Sequence, residues 1–364
     1  MIGEKELANI VSMFSIGSAA TGIKPLGPGF INDTFIVNTE NGTRYILQRK
    51  NHNVFPDIPG MMQNILLVTE HLKKKVAGEG GDPMREVMTV VKRNDGGLYF
   101  KDESGNYWTM TVFIEGSVTY EKADTPELAC KGGKGIGKFQ TQLADFTTPL
   151  NETIKGFHNI RWRFSQWDES LRRDAAGRAG SLTEEIGWIE SRRKEMLDFW
   201  TLVENGTIPT RVTHNDTKIS NILFDKNTGD VLCVIDLDTC MSSTSLNDFG
   251  DAIRSYANTG KEDDQDLSKV SMSMDMFRAY TRGYLSQRKD SLSETEKEYL
   301  AFSARYITYE QVLRFLMDYI DGDTYYKIAY PEHNLVRTRA QYRLLQSMES
   351  QYGDMVDTVR EYLK

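Results

Sequence analysis

Val212-Thr213-His214-Asn215-Asp216-Thr217-Lys218-Ile219-Ser220-Asn221-Ile222-Leu223-Phe224 sets a carboxylate at 216, a lysine two residues on and a primary amide five residues on. The spacing suits phosphoryl transfer, in which an aspartate takes the proton of the attacking hydroxyl, a lysine reaches the moving group and an asparagine ligates magnesium. Asp216 and Lys218 are therefore the candidate catalytic residues, and Asn221 is a candidate metal ligand. His214 is expected to brace the loop through hydrogen bonds, because Asp216 already supplies a base.

The residues that follow extend the pattern. Ile222–Phe224 and 231–235 are short apolar runs on either side of Asp225-Lys-Asn-Thr-Gly-Asp230, which reads as a β-hairpin. A hairpin of this register places Asn221 and Asp236 at one open end, and two hard oxygen ligands suit Mg2+. Asp248-Phe249-Gly250 spells the metal-binding triplet of protein kinases, but it lies 27 residues beyond Asn221 with no strand expected before it. Asp248 and Asp251 are instead expected to hydrogen-bond the loop or cap the next helix. Three roles stay open for Asp238: supporting the metal, contacting substrate or capping a turn.

At 364 residues the chain is long enough for two lobes. A net charge of −8 argues against gathering nucleic acid, and no basic amphipathic helix suggests a membrane surface. Cys130, Cys233 and Cys240 form no C-x-x-C pair and read as reduced thiols. With no apolar leader near Met1 and no membrane-length run, the expected location is cytoplasmic, with no obligate protein partner evident.

Upstream, a helix near Glu4–Phe14 precedes strands at 35–38 and 45–48 joined through Glu40-Asn41-Gly42. A helix over Met61–Lys75 follows, then strands near Val87–Val91, 98–101 and 108–114. Long helices begin at Pro126. The expected fold is α+β, a two-lobed protein-kinase-like (aminoglycoside phosphotransferase-like) arrangement with a small antiparallel-sheet lobe, 1–115, and a larger helical lobe, 116–364. Gly27 and Gly29, with Thr34 just after them, form a candidate phosphate loop, since glycine lets backbone N–H groups approach phosphate. Glu115 marks the joint whose backbone can read adenine. Where protein kinases carry Val-Ala-Ile-Lys, Tyr45-Ile-Leu-Gln-Arg49 offers Gln48 or Arg49 to the phosphates, and Arg49 has the charge. Glu70 is the one carboxylate in the middle of the helix that could partner it.

The chain resembles the aminoglycoside phosphotransferase and choline kinase superfamily and, more closely, the N-acetylhexosamine 1-kinases. The resemblance rests on Tyr45–Arg49, Arg211–Lys218, Val234-Ile-Asp-Leu-Asp-Thr239, Asp248-Phe-Gly-Asp251, Arg314-Phe-Leu-Met-Asp-Tyr319 and Tyr330-Pro-Glu-His-Asn-Leu-Val-Arg337. It implies ATP-dependent phosphorylation of the anomeric hydroxyl of N-acetylglucosamine or N-acetylgalactosamine, with Mg2+ held by Asn221 and Asp236. It also implies sugar contacts from Asn32, Arg314 and Tyr325, alongside the base Asp216. Phe30 departs from the resemblance, which carries a histidine there. Rival readings are a kinase for choline, homoserine or an aminoglycoside, and a nucleotide-binding pseudokinase.

Overall fold

The computed structural model describes residues 3–27 and 31–364, so the expectations for Gly29 and Phe30 lie outside the described residues. In chain order the elements are α1 (Glu4–Ser12), β1 (Ala20–Pro25), β2 (Asp33–Thr39), β3 (Arg44–Lys50), α2 (Ile58–Gly78), α3 (Pro83–Glu86), β4 (Phe100–Lys101), β5 (Tyr107–Val112), β6 (Ser117–Val118), α4 (Pro126–Gln142), α5 (Ile160–Arg173), α6 (Thr183–Glu190), α7 (Arg193–Glu204), β7 (Arg211–Thr213), β8 (Ile222–Asp225), β9 (Val231–Val234), β10 (Met241–Ser243), α8 (Ser245–Tyr256), α9 (Met274–Arg288), α10 (Glu294–Ile320), α11 (His333–Ser350) and α12 (Tyr352–Leu363). No described helix is long and apolar enough to cross a membrane.

Two compact units form, one of residues 3–118, 145–155 and 223–242, the other of 119–144, 156–222 and 243–364. A single boundary after Glu115 was the expectation from sequence, but the chain returns to the first unit twice. The reason for the second return is strand pairing: β6 pairs antiparallel with β8, Val118 opposite Phe224, and β9 completes a three-stranded sheet.

The first unit also holds an antiparallel sheet in the order β1-β2-β3-β5-β4. Leu7, Ile10 and Val11 lie three and four residues apart on α1 and pack with Val37, Tyr45, Leu47, Trp108 and Met110 on one sheet face. The β2–β3 turn closes as Thr39 Oγ1 donates to Thr43 O (2.6 Å), with Gly42 at φ +82°. Helix α2 starts earlier than its apolar period suggests, because the Asp57 carboxylate accepts from Gly60 N (2.9 Å). The strand expected at Val87–Val91 reduces to one isolated bridge, Val90 to Thr111. The segment meets the β5 edge through only two backbone bonds, Val91 N to Met110 O (2.8 Å) and Val112 N to Thr89 O (2.9 Å), so the pairing is too short to count as a strand.

The second unit is helical. Its 27-residue α10 begins with a reciprocal cap in which Ser293 and Glu296 serve each other's backbone N–H. Helices α4 and α9 approach backbone to backbone over glycines: a Cβ on Gly283 would lie 1.9 Å from Cys130 O, and one on Gly133 2.3 Å from Tyr280 O.

Gly283→Ala should therefore cost about 3 kcal/mol or more, the upper range for overpacking. Gly187→Ala, on an exposed stretch of α6 with open space around the Cα, should stabilise by about 0.5–1 kcal/mol. Urea unfolding of both variants checks the contrast.

Candidate active site

The loop after β7 is built around buried hydrogen bonds. Asp248, in the first turn of α8, accepts from His214 N (3.0 Å), Asn215 N (2.7 Å) and Gln140 Nε2 (2.7 Å). Burial raises its pKa, and His214 with these donors opposes the shift. Asp251 accepts from Thr217 N (2.8 Å), and Thr217 Oγ1 donates to Asp248 O (2.7 Å). Both aspartates thus hydrogen-bond the loop, while the α8 cap is Thr244, whose side chain accepts from Leu246 N (3.3 Å). The three-residue strand β10 precedes α8, where none was expected.

Asn215 takes a left-handed backbone, φ 65°, which turns the chain sharply before Asp216. His214 is fully buried, and its Nδ1 accepts the Asp216 N–H (3.2 Å). The Asp216 carboxylate lies 2.9 Å from Lys218 Nζ and accepts from Asn221 Nδ2 (3.0 Å); the same amide also donates to Asp216 O (2.8 Å). Burial pushes the Asp216 pKa upward, but Lys218, His214 and Asn221 outweigh it and hold the carboxyl below its ordinary value. Because the Asn221 amide nitrogen is engaged by Asp216, its oxygen is the atom left for a cation. That donor chemistry fits a hard divalent ion such as Mg2+.

In the first unit the buried cation of β3 is Lys50, which the sequence reading passed over. Its Nζ lies 2.7 Å from both Asp238 oxygens and 2.7 Å from Gln48 Oε1. Strand parity carried the signal: 45 and 47 face the apolar core, so 48 and 50 share the other face. Arg49 is turned away and ion-pairs with Asp33 near the surface (Nε to Oδ2, 2.7 Å). Glu70 is also exposed and reaches only Lys73 (3.5 Å), so it does not partner a β3 cation. Asp238 receives a further bond from Asn32 Nδ2 (2.8 Å), and Asn32 Oδ1 accepts from Asn51 N (3.1 Å). Asp238 thus pairs with Lys50 and Asn32, which is none of the three roles left open for it from the sequence. Asp236 ends the hairpin with a left-handed backbone, φ 58°. Thr34 Oγ1 accepts from Gln48 (3.3 Å), Gly27 has φ +67°, and Glu115 is bound by Arg44 (2.8 Å).

The second unit brings Arg314 and Tyr325 together. The Arg314 guanidinium lies 5.6 Å from the Phe157 and Tyr326 ring centres and 5.8 Å from that of Tyr325. Desolvation works against its charge, but Tyr326, Tyr325 and Glu310 outweigh it and raise the pKa. The segment bearing the tyrosines hangs on Asp318, whose carboxylate accepts from the N–H groups of Thr324 (2.9 Å), Tyr325 (2.7 Å) and Tyr326 (3.0 Å). Asn334 binds Asp318 (2.8 Å) and Asp323 (2.9 Å), and Arg337 donates to Lys327 O (3.2 Å). The Tyr330–Arg337 motif therefore contributes bracing for this segment. Glu310, one turn before Arg314, sits between His158 Nδ1 (2.6 Å) and Arg163 Nε (3.2 Å). Burial opposes its ionisation, yet His158, Arg163 and Arg314 bring its pKa down to about 2.

Residues 22–285 match the model of the APH group, the phosphotransferase enzyme family. The chain belongs to that family. Its kinase-like fold is shared with a microcompartment-associated aminopropanol kinase (16% identity, 97% of this chain and 98% of that one, TM-score 0.66). It is shared also with the amicoumacin kinase hAmiN in complex with AMP-PNP, Ca2+ and Ami (13% identity, 95% and 94%, TM-score 0.59). A third similar structure is a Plasmodium vivax ethanolamine kinase (13% identity, 92% and 84%, TM-score 0.54).

Two outcomes follow from the charges. Lys50→Met strands the Asp238 carboxylate and should cost about 3–5 kcal/mol, whereas Arg49→Met, removing an exposed pair, should cost less than about 1 kcal/mol; thermal unfolding separates them. Glu310 has a depressed pKa, so its stabilisation is complete above the ordinary value of 4.5 and fades as pH falls toward about 2. The stability gap between the parent and Glu310→Gln should therefore be widest near neutrality and shrink below about pH 4.5 in urea titrations at stepped pH.

Proposed function

We propose that this phosphotransferase moves the γ-phosphoryl of ATP to the anomeric hydroxyl of an N-acetylhexosamine. The observation that carries the phosphoryl-transfer reading is the Asp216 carboxylate, kept ionised by Lys218 and Asn221 on a loop pinned by Asp248. In this reading Asp216 accepts the acceptor's proton and Lys218 meets the charge of the moving group. Lys50 pairs the nucleotide phosphates, in the role that sequence reasoning offered to Gln48 or Arg49. Gly27, Gly29, Thr34 and the backbone near Glu115 would line the nucleotide. Asn221 and Asp236 would hold Mg2+, which when bound neutralises phosphate charge. A loose transition state of this kind depends on alignment and charge more than on base strength.

The acceptor class is argued from Arg314. The nearby carboxylates already have partners: Glu310 has His158 and Arg163, and Asp318 has three backbone N–H groups. A surplus cation among aromatic rings disfavours choline, ethanolamine or an aminoglycoside, whose own charge would be repelled. It favours a neutral acceptor that offers a carbonyl oxygen to a planar donor and an apolar face to a ring, as an acetamido sugar does. Asn32 would be a further sugar contact, as the sequence resemblance implies.

An ADP-release assay with ATP and Mg2+ across N-acetylglucosamine, N-acetylgalactosamine, hexoses, choline, homoserine and an aminoglycoside tests this, with 31P NMR to place the phosphate. The expected product is a sugar 1-phosphate; turnover only with an amine would discard the acceptor assignment and keep the kinase. Asp216→Asn should lower kcat by about 10²–10⁴-fold. Arg314→Ala should raise the acceptor KM about 10–100-fold through loss of a charged hydrogen bond, with the KM for ATP unchanged.

A further inference from the structure

His158 precedes α5 by two residues and is buried, with a left-handed backbone at φ 56°. Its two ring nitrogens face two different elements. Nδ1 lies 2.6 Å from Glu310 Oε2 on α10, and Nε2 lies 3.3 Å from the backbone carbonyl oxygen of Asn215, the residue before Asp216. Both partners are acceptors by geometry: a carbonyl only accepts, and the Glu310 carboxylate also takes Arg163 Nε (3.2 Å). Both ring nitrogens are therefore placed to donate. Its own backbone is fixed too, since Tyr306 Oη donates to His158 O (2.7 Å) and the Phe157 ring packs at 4.3 Å.

We infer that His158 is a positioning residue for phosphoryl transfer: a protonated Nε2 holds the Asn215 carbonyl and so the aim of Asp216, while a protonated Nδ1 on Glu310 sets the ring. The inference rests on Asp216 acting as the base. His158 touches no reacting atom. It acts through the Nε2 bond to the carbonyl of the left-handed turn at Asn215, and the Nδ1 bond to Glu310 on α10 orients the ring. The Asp248 bonds fix the N–H side of the turn, and His158 fixes its carbonyl side.

Two near-isosteric substitutions divide the ring's two functions. The amide nitrogen of His158→Gln occupies the place of Nε2 and keeps the bond to Asn215 O. That of His158→Asn occupies the place of Nδ1 and keeps only the bond to Glu310. The left-handed backbone at 158 suits asparagine better than glutamine, so a simple folding effect favours the variant expected to be catalytically worse.

The test uses the full-length chain. Imidazole 15N NMR of histidine-labelled protein, with the His158 signals assigned by their loss in His158→Asn, should show both of its ring nitrogens protonated at neutral pH. Steady-state kinetics should show His158→Gln within about 3-fold of the parent kcat and His158→Asn lower by about 10–100-fold, the scale of a displacement near 1 Å. The KM for ATP should be unchanged in both, and thermal unfolding should show both folded. A bare ring nitrogen overturns the inference, as does an equal loss of kcat in the two variants. If none of the acceptors is turned over, the acceptor assignment fails separately. ADP release into water then supplies the rates, and the ring nitrogens decide the inference in any case.

Discussion

The carboxylate of Asp248 is the point on which the catalytic loop depends. It gathers two consecutive backbone N–H groups and the Gln140 amide inside the second unit. Each of these buried donors, left unmatched, costs about 1–3 kcal/mol, so the loop has one conformation that satisfies all of them. The neighbours of Asp248 serve the same end. Phe249 packs its ring among Tyr280 (5.7 Å), Tyr284 (5.2 Å) and Phe277 (6.2 Å), and a Cβ at Gly250 would lie 2.3 Å from Ser303 O. A triplet that spells a metal site in protein kinases is here a scaffold for the turn at Asn215.

Charge in the two units is arranged differently. In the first, Lys50 and Asp238 neutralise each other in a buried pair, with Asn32 and Gln48 as auxiliaries. In the second, Glu310 is bound by His158 and Arg163, and Arg314 lies one turn along the same helix. Arg314 itself donates to Gln311 Oε1 (3.4 Å) and lies among the Phe157, Tyr325 and Tyr326 rings.

Much of this was legible because its information is local. The catalytic loop, the hairpin that follows it and the loop-bonding aspartates depend on spacings of a few residues or on one short connection, and these survive in a one-dimensional reading. Lys50 lies one residue past the motif that ends at Arg49, so only strand parity from Tyr45 and Leu47 marks it as the side chain on the other face. The strand expected at Val87–Val91 shortens to a single bridge because only residues 89–91 reach the β5 edge, and how far a segment follows an edge is not written in its own β-branched residues. The contacts of His158 lay beyond sequence reasoning for a plainer reason. They join residues 57 and 152 positions apart, and no periodicity links them.

The attachment of residues 324–326 to Asp318 also bears on how such an enzyme diversifies. Three backbone N–H groups meet one side chain, and backbone N–H groups are common to every residue except proline. The anchor is therefore blind to which side chains the segment displays. Tyr325 and Tyr326 can be exchanged for other residues without disturbing the attachment, and the turn that aims Asp216 is fastened elsewhere. The side chains shown by this segment can thus drift in a few codons while its attachment is inherited intact.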